Sequence, residues 1–413
     1  MHRPRPRPRT AALPVLLLAG VLLVALTLRG PLVALAPVVV DLRRDLDVGA
    51  GTIGLLTSIP VLCFGLAAPL ASLLIARTGV HRAVLVSLAG VLAGTLLRSL
   101  GSPATAIAGT VVLGLGITIG NVVVPVVIGR DFPGATTVIT AAYTAALNVG
   151  ATLTSALTAP LAELVGWRTA LAASGVLVVV AAAVWTVALR RQVARTANAR
   201  PAPPVVTAGT SVWRRPVAWG LTLAFAGQAF SYYGATAWLP TLLADENEMS
   251  KSAAGVSSSL FQVLAVVGAL AVPPLVAWWR SPALVLLAVS VAWATLPIGL
   301  LVAPSLWALW CCLAGVAQGG GITVLFIAIV RRSRDLTENR RLSAMVQGGG
   351  YTVAATGPLL LGAAHDVTGG WTVPLLVILG SVTVLAVAGT AAAGGRETET
   401  GPAPAPVGEE RRG

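Results

Sequence analysis

The chain has 413 residues, of which 56% are hydrophobic and only 10% charged, with a mean hydropathy of +0.86. A soluble globular domain carries about 25% charge, so the composition excludes a water-soluble body and defines an integral membrane protein. The net charge of +13 reads as membrane topology and attraction to anionic lipid, not as a nucleic-acid footprint.

A basic arm, residues 1–10, opens the chain with MHRPRPRPR. Twelve segments long enough to span a bilayer follow, at roughly 11–40, 50–76, 82–101, 104–129, 136–162, 168–189, 216–243, 252–279, 282–302, 305–330, 341–364 and 371–393. Proline recurs inside them at Pro60, Pro69, Pro125, Pro160, Pro273 and Pro358. In a bilayer such prolines mark kinks or close packing rather than helix ends. The first segment resembles a cleavable signal sequence in its basic start and its Ala34-Leu35-Ala36. Its apolar run is too long for that, however, and Arg29 interrupts it; we read it as the first span.

Arginine placement gives the orientation. Of 28 lysines and arginines, twenty-two fall on the side of the N-terminus, five on the other and Arg29 within the membrane. That asymmetry puts both termini in the cytoplasm. Two halves, 11–189 and 216–393, flank a polar, proline-rich, basic linker over 190–215, and a tail covers 394–413. The halves echo one another. GLGITIGNVVVPVVIGRD ends near Arg130 before Gly166-Trp167 opens the sixth span, and GVAQGGGITVLFIAIVRR ends near Arg331 before Gly370-Trp371 opens the twelfth. Two parallel six-helix halves describe the major facilitator architecture, whose substrate site lies near the midplane between halves. An all-α membrane protein of twelve helices is the expected fold.

The loop after the second span, Arg77-Thr-Gly79-Val-His81-Arg82, is similar to the superfamily's glycine–acid–basic signature. Ala76 stands where the acid belongs and Ser72 where the leading glycine belongs. The resemblance assigns Arg77, Gly79 and Arg82 to gating, and the missing acid weakens the latch that the signature implies. Equally, Arg77 and Arg82 serve as topology determinants. More specific are LRGPL around Arg29, LLTSIPVLCFGLAAPLA (55–71), GNVVVPVVIGRDFP (120–133) and YTAALNVGATL (143–153), with YYGATAWLPTLL (232–243) and SSSLFQVLA (257–265) in the second half. Together they resemble the cyanate and 2-nitroimidazole porter family of the major facilitators. That resemblance implies transport of a small anion or a small polar aromatic.

The candidate site follows from the polar residues inside the spans. Arg29 has no acid near it in sequence; the nearest, Asp41, is roughly 18 Å away along a helix. A guanidinium at that depth costs about 2.5–3.5 kcal/mol on insertion scales, so it needs a partner elsewhere in the fold or a bound anion. Thr136, Thr140, Thr144, Asn148 and Thr152 form a row on the fifth span, matched by Ser343, Gln347 and Tyr351 on the eleventh. Threonines in helices bond their own carbonyls, which leaves Asn148, Gln347 and Tyr351 as ligand candidates. Asn121, Gln228, Tyr232 and Gln262 complete the expected binding set, each equally suited to holding helices together. Gln318 is read as an uncharged partner, equally suited to touching substrate and to holding helices together, and Arg98 and Trp238 as residues of the membrane–water interface.

Absences restrict the mechanism. No carboxylate lies deep in an expected span, and Asp131, Glu163, Asp366 and His365 sit near span ends. Any proton coupling therefore runs through the substrate or its cavity. No phosphate-binding loop of the GxxxxGK[ST] kind occurs, which excludes ATP-driven pumping by this chain alone. Cys63, Cys311 and Cys312 all fall in apolar runs and suggest neither a disulfide framework nor a metal site. With three histidines and no buried nucleophile set, an intramembrane enzyme is disfavoured. The expected activity is secondary transport of a cyanate-like anion, without a cofactor and as a monomer, in the cytoplasmic membrane. Efflux of a nitroimidazole-like molecule is the alternative.

Overall fold

A computed structural model describes residues 15–132, 135–193, 212–334 and 336–394. The basic arm, most of the linker and nearly all of the tail lie outside the described residues, as does the side chain of Thr136. Helices make up the described fold, and no strand occurs among the described residues. Hydrocarbon offers no partner to backbone N–H and C=O groups, so a spanning segment must satisfy them within itself.

Each expected span is helical, but several are broken. The first is α1 (Val15–Val33), a 3-10 turn at Ala36–Val38 and α2 (Val39–Leu46). The break follows Pro31 and Pro37, which remove two amide donors from the ladder. The second is α3 (Ala50–Leu66) and α4 (Ala68–Thr78), bent by 61° next to Pro69. Four straighter helices complete the half: α5 (Val80–Arg98), α6 (Pro103–Asp131), α7 (Thr136–Val165) and α8 (Trp167–Val193). In the second half are α9 (Pro216–Asn247), the broken pair α10 (Lys251–Val263) and α11 (Ala265–Trp279), α12 (Pro282–Val302) and α13 (Trp307–Arg332). A second broken pair, α14 (Leu336–Ala354) and α15 (Thr356–Thr368), precedes α16 (Thr372–Gly394). Serine caps start three of these helices. Ser102 Oγ accepts from Thr105 N at 3.2 Å in a reciprocal capping box on α6, and Ser250 and Ser281 cap α10 and α12.

Among the described residues, nine helices are long and apolar enough to cross a membrane, ten with α3 and α4 taken as one span. The helix α9 is long enough at 32 residues, but Gln228, Ser231, Tyr232 and Tyr233 dilute its apolar character. That dilution marks a helix turned toward protein and cavity rather than lipid.

The packing repeats with an offset of six spans. Helices α1 and α7 pair as α9 and α14 do, α1 and α8 as α9 and α16, and α5 and α6 as α12 and α13. Single residues repeat the pattern. Trp167 Nε1 donates to Asp45 Oδ2 at 3.1 Å, and Trp371 Nε1 donates to Asp245 Oδ2 at 2.9 Å. Each tryptophan thus ties the start of the last helix of one half to the end of that half's first span.

Two residues expected at the interface are buried. Arg98 is 1% exposed, and its Nη1 donates to the Pro31 carbonyl at 3.1 Å. The side-chain-free Gly109 of α6 lets the last turn of α5 approach closely, which turns the guanidinium inward onto the C-terminal carbonyls of α1. Those carbonyls lack helical partners and carry negative dipole charge. Trp238 is 2% exposed; its Nε1 donates to the Pro358 carbonyl at 2.9 Å. It binds α9 to α15 rather than anchoring in headgroups.

Candidate substrate cavity

A cavity of about 740 Å³ lies between the halves, lined by α1, α3, α4, α6 and α7 from the first half and by α9, α11, α13 and α14 from the second. Ser72, Pro125, Phe326 and Ala344 line its mouth, each a few residues from the loop arginines Arg77, Arg130, Arg331 and Arg341. The opposite end is closed. There Ser155 and Ser258 hydroxyls meet at 3.3 Å, Ser252 N donates to Glu163 Oε1 at 3.1 Å, Arg43 pairs with Asp366 at 3.3 Å, and Lys251 pairs with Asp41. Close packing completes the closure at two glycines in matched positions. A Cβ on Gly54 of α3 would lie 2.6 Å from the Pro358 carbonyl oxygen, and one on Gly255 of α10 would lie 3.0 Å from Ala159 Cβ.

Arg29 projects into the cavity from the last turns of α1, just before Pro31. Its Nη1 donates to Asn148 Oδ1 at 2.6 Å, and its guanidinium carbon stands 5.0 Å from the centre of the Tyr232 ring. Asn148 is fixed in turn by donating Nδ2 to the Thr144 carbonyl at 3.1 Å. Among the described residues no Asp or Glu lines the cavity. The charge is therefore met by the Asn148 amide oxygen, the Tyr232 ring and the adjacent Tyr233 side chain, which attract a cation without neutralising it.

Aromatic rings surround this centre. The chain has four tyrosines, and Tyr143, Tyr233 and Tyr351 line the cavity while Tyr232 stands against Arg29. Phe64 meets Tyr351 edge-on at 5.5 Å and Tyr233 at 6.5 Å, and Tyr233 lies 6.3 Å from Tyr351. Phe225 supports Tyr351 from behind at 5.0 Å with the rings perpendicular.

Of the residues singled out in the sequence, Arg29, Asn121, Asn148, Gln347 and Tyr351 line the cavity, and so does Gln318. Gln228, Gln262 and Tyr232 stand outside the lining. Gln228 Nε2 donates to the Gln318 carbonyl at 3.0 Å, joining α9 to α13. Gln262 accepts from the Tyr232 hydroxyl at 3.2 Å and donates to Thr236 Oγ1 at 3.2 Å, joining α10 to α9. The threonine hydroxyls turn back on their own helices, Thr144 onto the Thr140 carbonyl and Thr152 onto that of Asn148. Tyr143 and Phe64 were missed by sequence reasoning, and Tyr233 was passed over for its neighbour Tyr232. Tyr233 had a signal, since consecutive helical residues point about 100° apart and only one of a Tyr-Tyr pair can face a given cavity.

Arg77 and Arg82 are exposed and, among the described residues, make no ion pair. Gly79 takes φ of 83° and turns the chain between α4 and α5. The polar cluster at this end is instead His81, Arg130 and Asp131: Arg130 Nη2 donates to His81 Nε2 at 2.5 Å and Arg130 Nε donates to Asp131 Oδ1 at 2.8 Å.

Two packed helical halves around a central cavity are the build of a multi-pass membrane transporter. The sequence pattern of the Major Facilitator Superfamily matches residues 17–332, and the chain belongs to that superfamily. It is 33% identical over 386 residues to the 2-nitroimidazole transporter of Escherichia coli (strain K12), covering 93% of this chain and 96% of the relative. To the cyanate transport protein CynX of the same organism it is 27% identical over 364 residues, covering 86% and 91%. Its fold is similar to the crystal structure of a bacterial homologue of the human lysosomal transporter Spinster in an inward-facing, unoccupied conformation. That likeness has a TM-score of 0.69 at 16% identity and covers 93% of this chain and 98% of that one. The family and these relatives are transporters, and the chain is a transporter of small molecules rather than an enzyme.

Proposed function

We propose that the protein is a secondary carrier that moves a small anion across the cytoplasmic membrane, with Arg29 as the positive pole of its site. The observation that carries this reading is the guanidinium bonded to Asn148 at 2.6 Å in a cavity whose described lining holds no carboxylate. An uncompensated cation of low surrounding polarity raises the local concentration of anions and binds them strongly once they are desolvated. The relative named as a cyanate transport protein agrees with such a substrate. Asn121, Gln347 and Tyr351 supply further hydrogen-bonding groups around the anion.

Arginine-rich loops stand at the open end of the cavity, and the positive-inside rule assigns that end to the cytoplasm. The described conformation is thus open inward, with a monomer providing the whole pathway and Arg77, Gly79 and Arg82 acting in the rearrangement of the open end. A second reading, transport of a nitroimidazole-like molecule, is favoured by the tyrosine and phenylalanine walls and by the relative named as a 2-nitroimidazole transporter.

Ligand-induced thermal stabilisation of the detergent-purified protein tests both, because binding to the native state raises its apparent stability with occupancy. Cyanate, other small monovalent anions and 2-nitroimidazole are compared on wild type and Arg29→Gln. A shift with anions that vanishes in the variant supports the anion carrier. A shift with 2-nitroimidazole alone, unchanged in the variant, replaces it with the second reading.

A further inference from the structure

We infer that the preferred substrates are small aromatic monocarboxylates, flat rings of five or six atoms bearing one carboxylate, a class that neither reading above names. The inference rests on the anion reading of the same site. Three observations carry it.

The first is the state of the guanidinium. Arg29 donates to Asn148, stands against the rings of Tyr232 and Tyr233, and borders the cavity. A guanidinium fork matches two coplanar oxygens, which a carboxylate offers and a monatomic or linear triatomic ion does not. A nitro group presents a similar pair of oxygens, so a nitroaromatic relative's substrate and an aromatic carboxylate share one shape.

The second is the arrangement of the rings. Phe64, Tyr233 and Tyr351 stand 5.5–6.5 Å from one another at interplanar angles of 57–76°, and all three line the cavity beside Arg29. Tilted rings expose edges as well as faces to a guest, and a flat ring meets both edge-to-face and offset partners there. A small hydrated ion has no use for such walls, and desolvating it against them is costly.

The third is size. About 740 Å³ open to a ligand lies within the range of pockets that enclose ring-bearing molecules. A three-atom anion would leave the aromatic contacts unmade. The amides of Asn121 and Gln347, also on the lining, suit a ring nitrogen or hydroxyl on the carboxylate-bearing scaffold.

The experiment uses the full-length protein in liposomes and in detergent, with benzoate, pyrrole-2-carboxylate, acetate, cyanate and the neutral isostere benzamide as probes. Binding is read by thermal stabilisation and transport by counterflow of labelled benzoate. Benzoate and pyrrole-2-carboxylate are expected to bind at least about tenfold more tightly than acetate, cyanate or benzamide, since ring contacts and the charged fork each contribute about that factor. Phe64→Leu and Tyr351→Leu should lower the ratio of benzoate to acetate affinity, and Arg29→Lys, which keeps the charge and loses the fork, should lower benzoate more than cyanate. Acetate and cyanate binding as well as or better than benzoate overturns the inference and leaves the anion carrier standing. Benzamide binding as tightly as benzoate overturns both. The comparison among ligands on wild type decides the matter even if a variant fails to fold.

Discussion

The two halves of the molecule are built alike and line the cavity differently. Arg29 and Tyr233 occupy corresponding places on the first helices of their halves, each followed by glycine, and they meet across the cavity. The first half contributes the cation and its amide partner, Arg29 and Asn148. In the second half, Gln228, Gln262 and Gln318 are buried and hold helices together, Gln318 Nε2 donating to the Phe261 carbonyl at 3.3 Å. An amide in a membrane helix serves a ligand only where the neighbouring helices leave it unclaimed. The first half therefore holds the cation, and both halves supply aromatic walls, Phe64 and Tyr143 from the first and Tyr233 and Tyr351 from the second.

The sharpest way to break that contrast is Arg29→Gln set beside Tyr233→Leu. Loss of the charge should reduce anion affinity by about 10- to 100-fold, the worth of charge-assisted hydrogen bonds. Loss of the ring should cost about tenfold or less. Equal losses, measured by titrated thermal stabilisation, would remove the division of labour. Asn148→Ala comes next, with an expected loss of about tenfold from the freed orientation of the guanidinium. The matched change in the second half, Gln347→Ala, should cost a few-fold. Reversal of that order would assign recognition to α14 instead.

Much of the fold and the depth of Arg29 were legible in the sequence, where matched polar rows in both halves were expected, and the limits are physical. The fold followed from hydropathy, arginine placement and the matched Gly-Trp starts, because a bilayer permits few ways to satisfy a backbone. Arg29 stood out because an intramembrane charge has few innocent explanations. The roles of the glutamines did not follow, since Gln262 and Gln347 differ only in whether another helix happens to offer a partner. Arg98 misled for the same reason: proximity to a span end says nothing about which way a turn faces, and Gly109 across the interface turned it inward onto the Pro31 carbonyl.

A smaller effect separates glue from ligand contact. Gln262→Leu strands the Tyr232 hydroxyl and Thr236 in a buried interface, at a cost of about 1–3 kcal/mol. The melting temperature should fall while the increment produced by saturating anion persists. Loss of that increment would return Gln262 to the site.

The weakest expected effects lie at the closed end, where the halves are joined rather than distinguished. Lys251–Asp41 and Arg43–Asp366 cross between halves, with side chains about a quarter to a third exposed. Exposed pairs of this kind contribute about 0.2–1 kcal/mol each. Opening this end must separate both pairs, so Lys251→Met should favour the opened state by no more than a few-fold. Accessibility of a cysteine placed at Ser258 to a membrane-impermeant thiol reagent measures that population. High salt should produce a similar shift in wild type, because a Debye length of about 3 Å at 1 M screens exposed charges. The close packing at Gly54 and Gly255 involves no charged group and is indifferent to salt. A variant that gains accessibility far beyond a few-fold would mean that the ion pairs, and not the backbone packing at those glycines, hold this end shut.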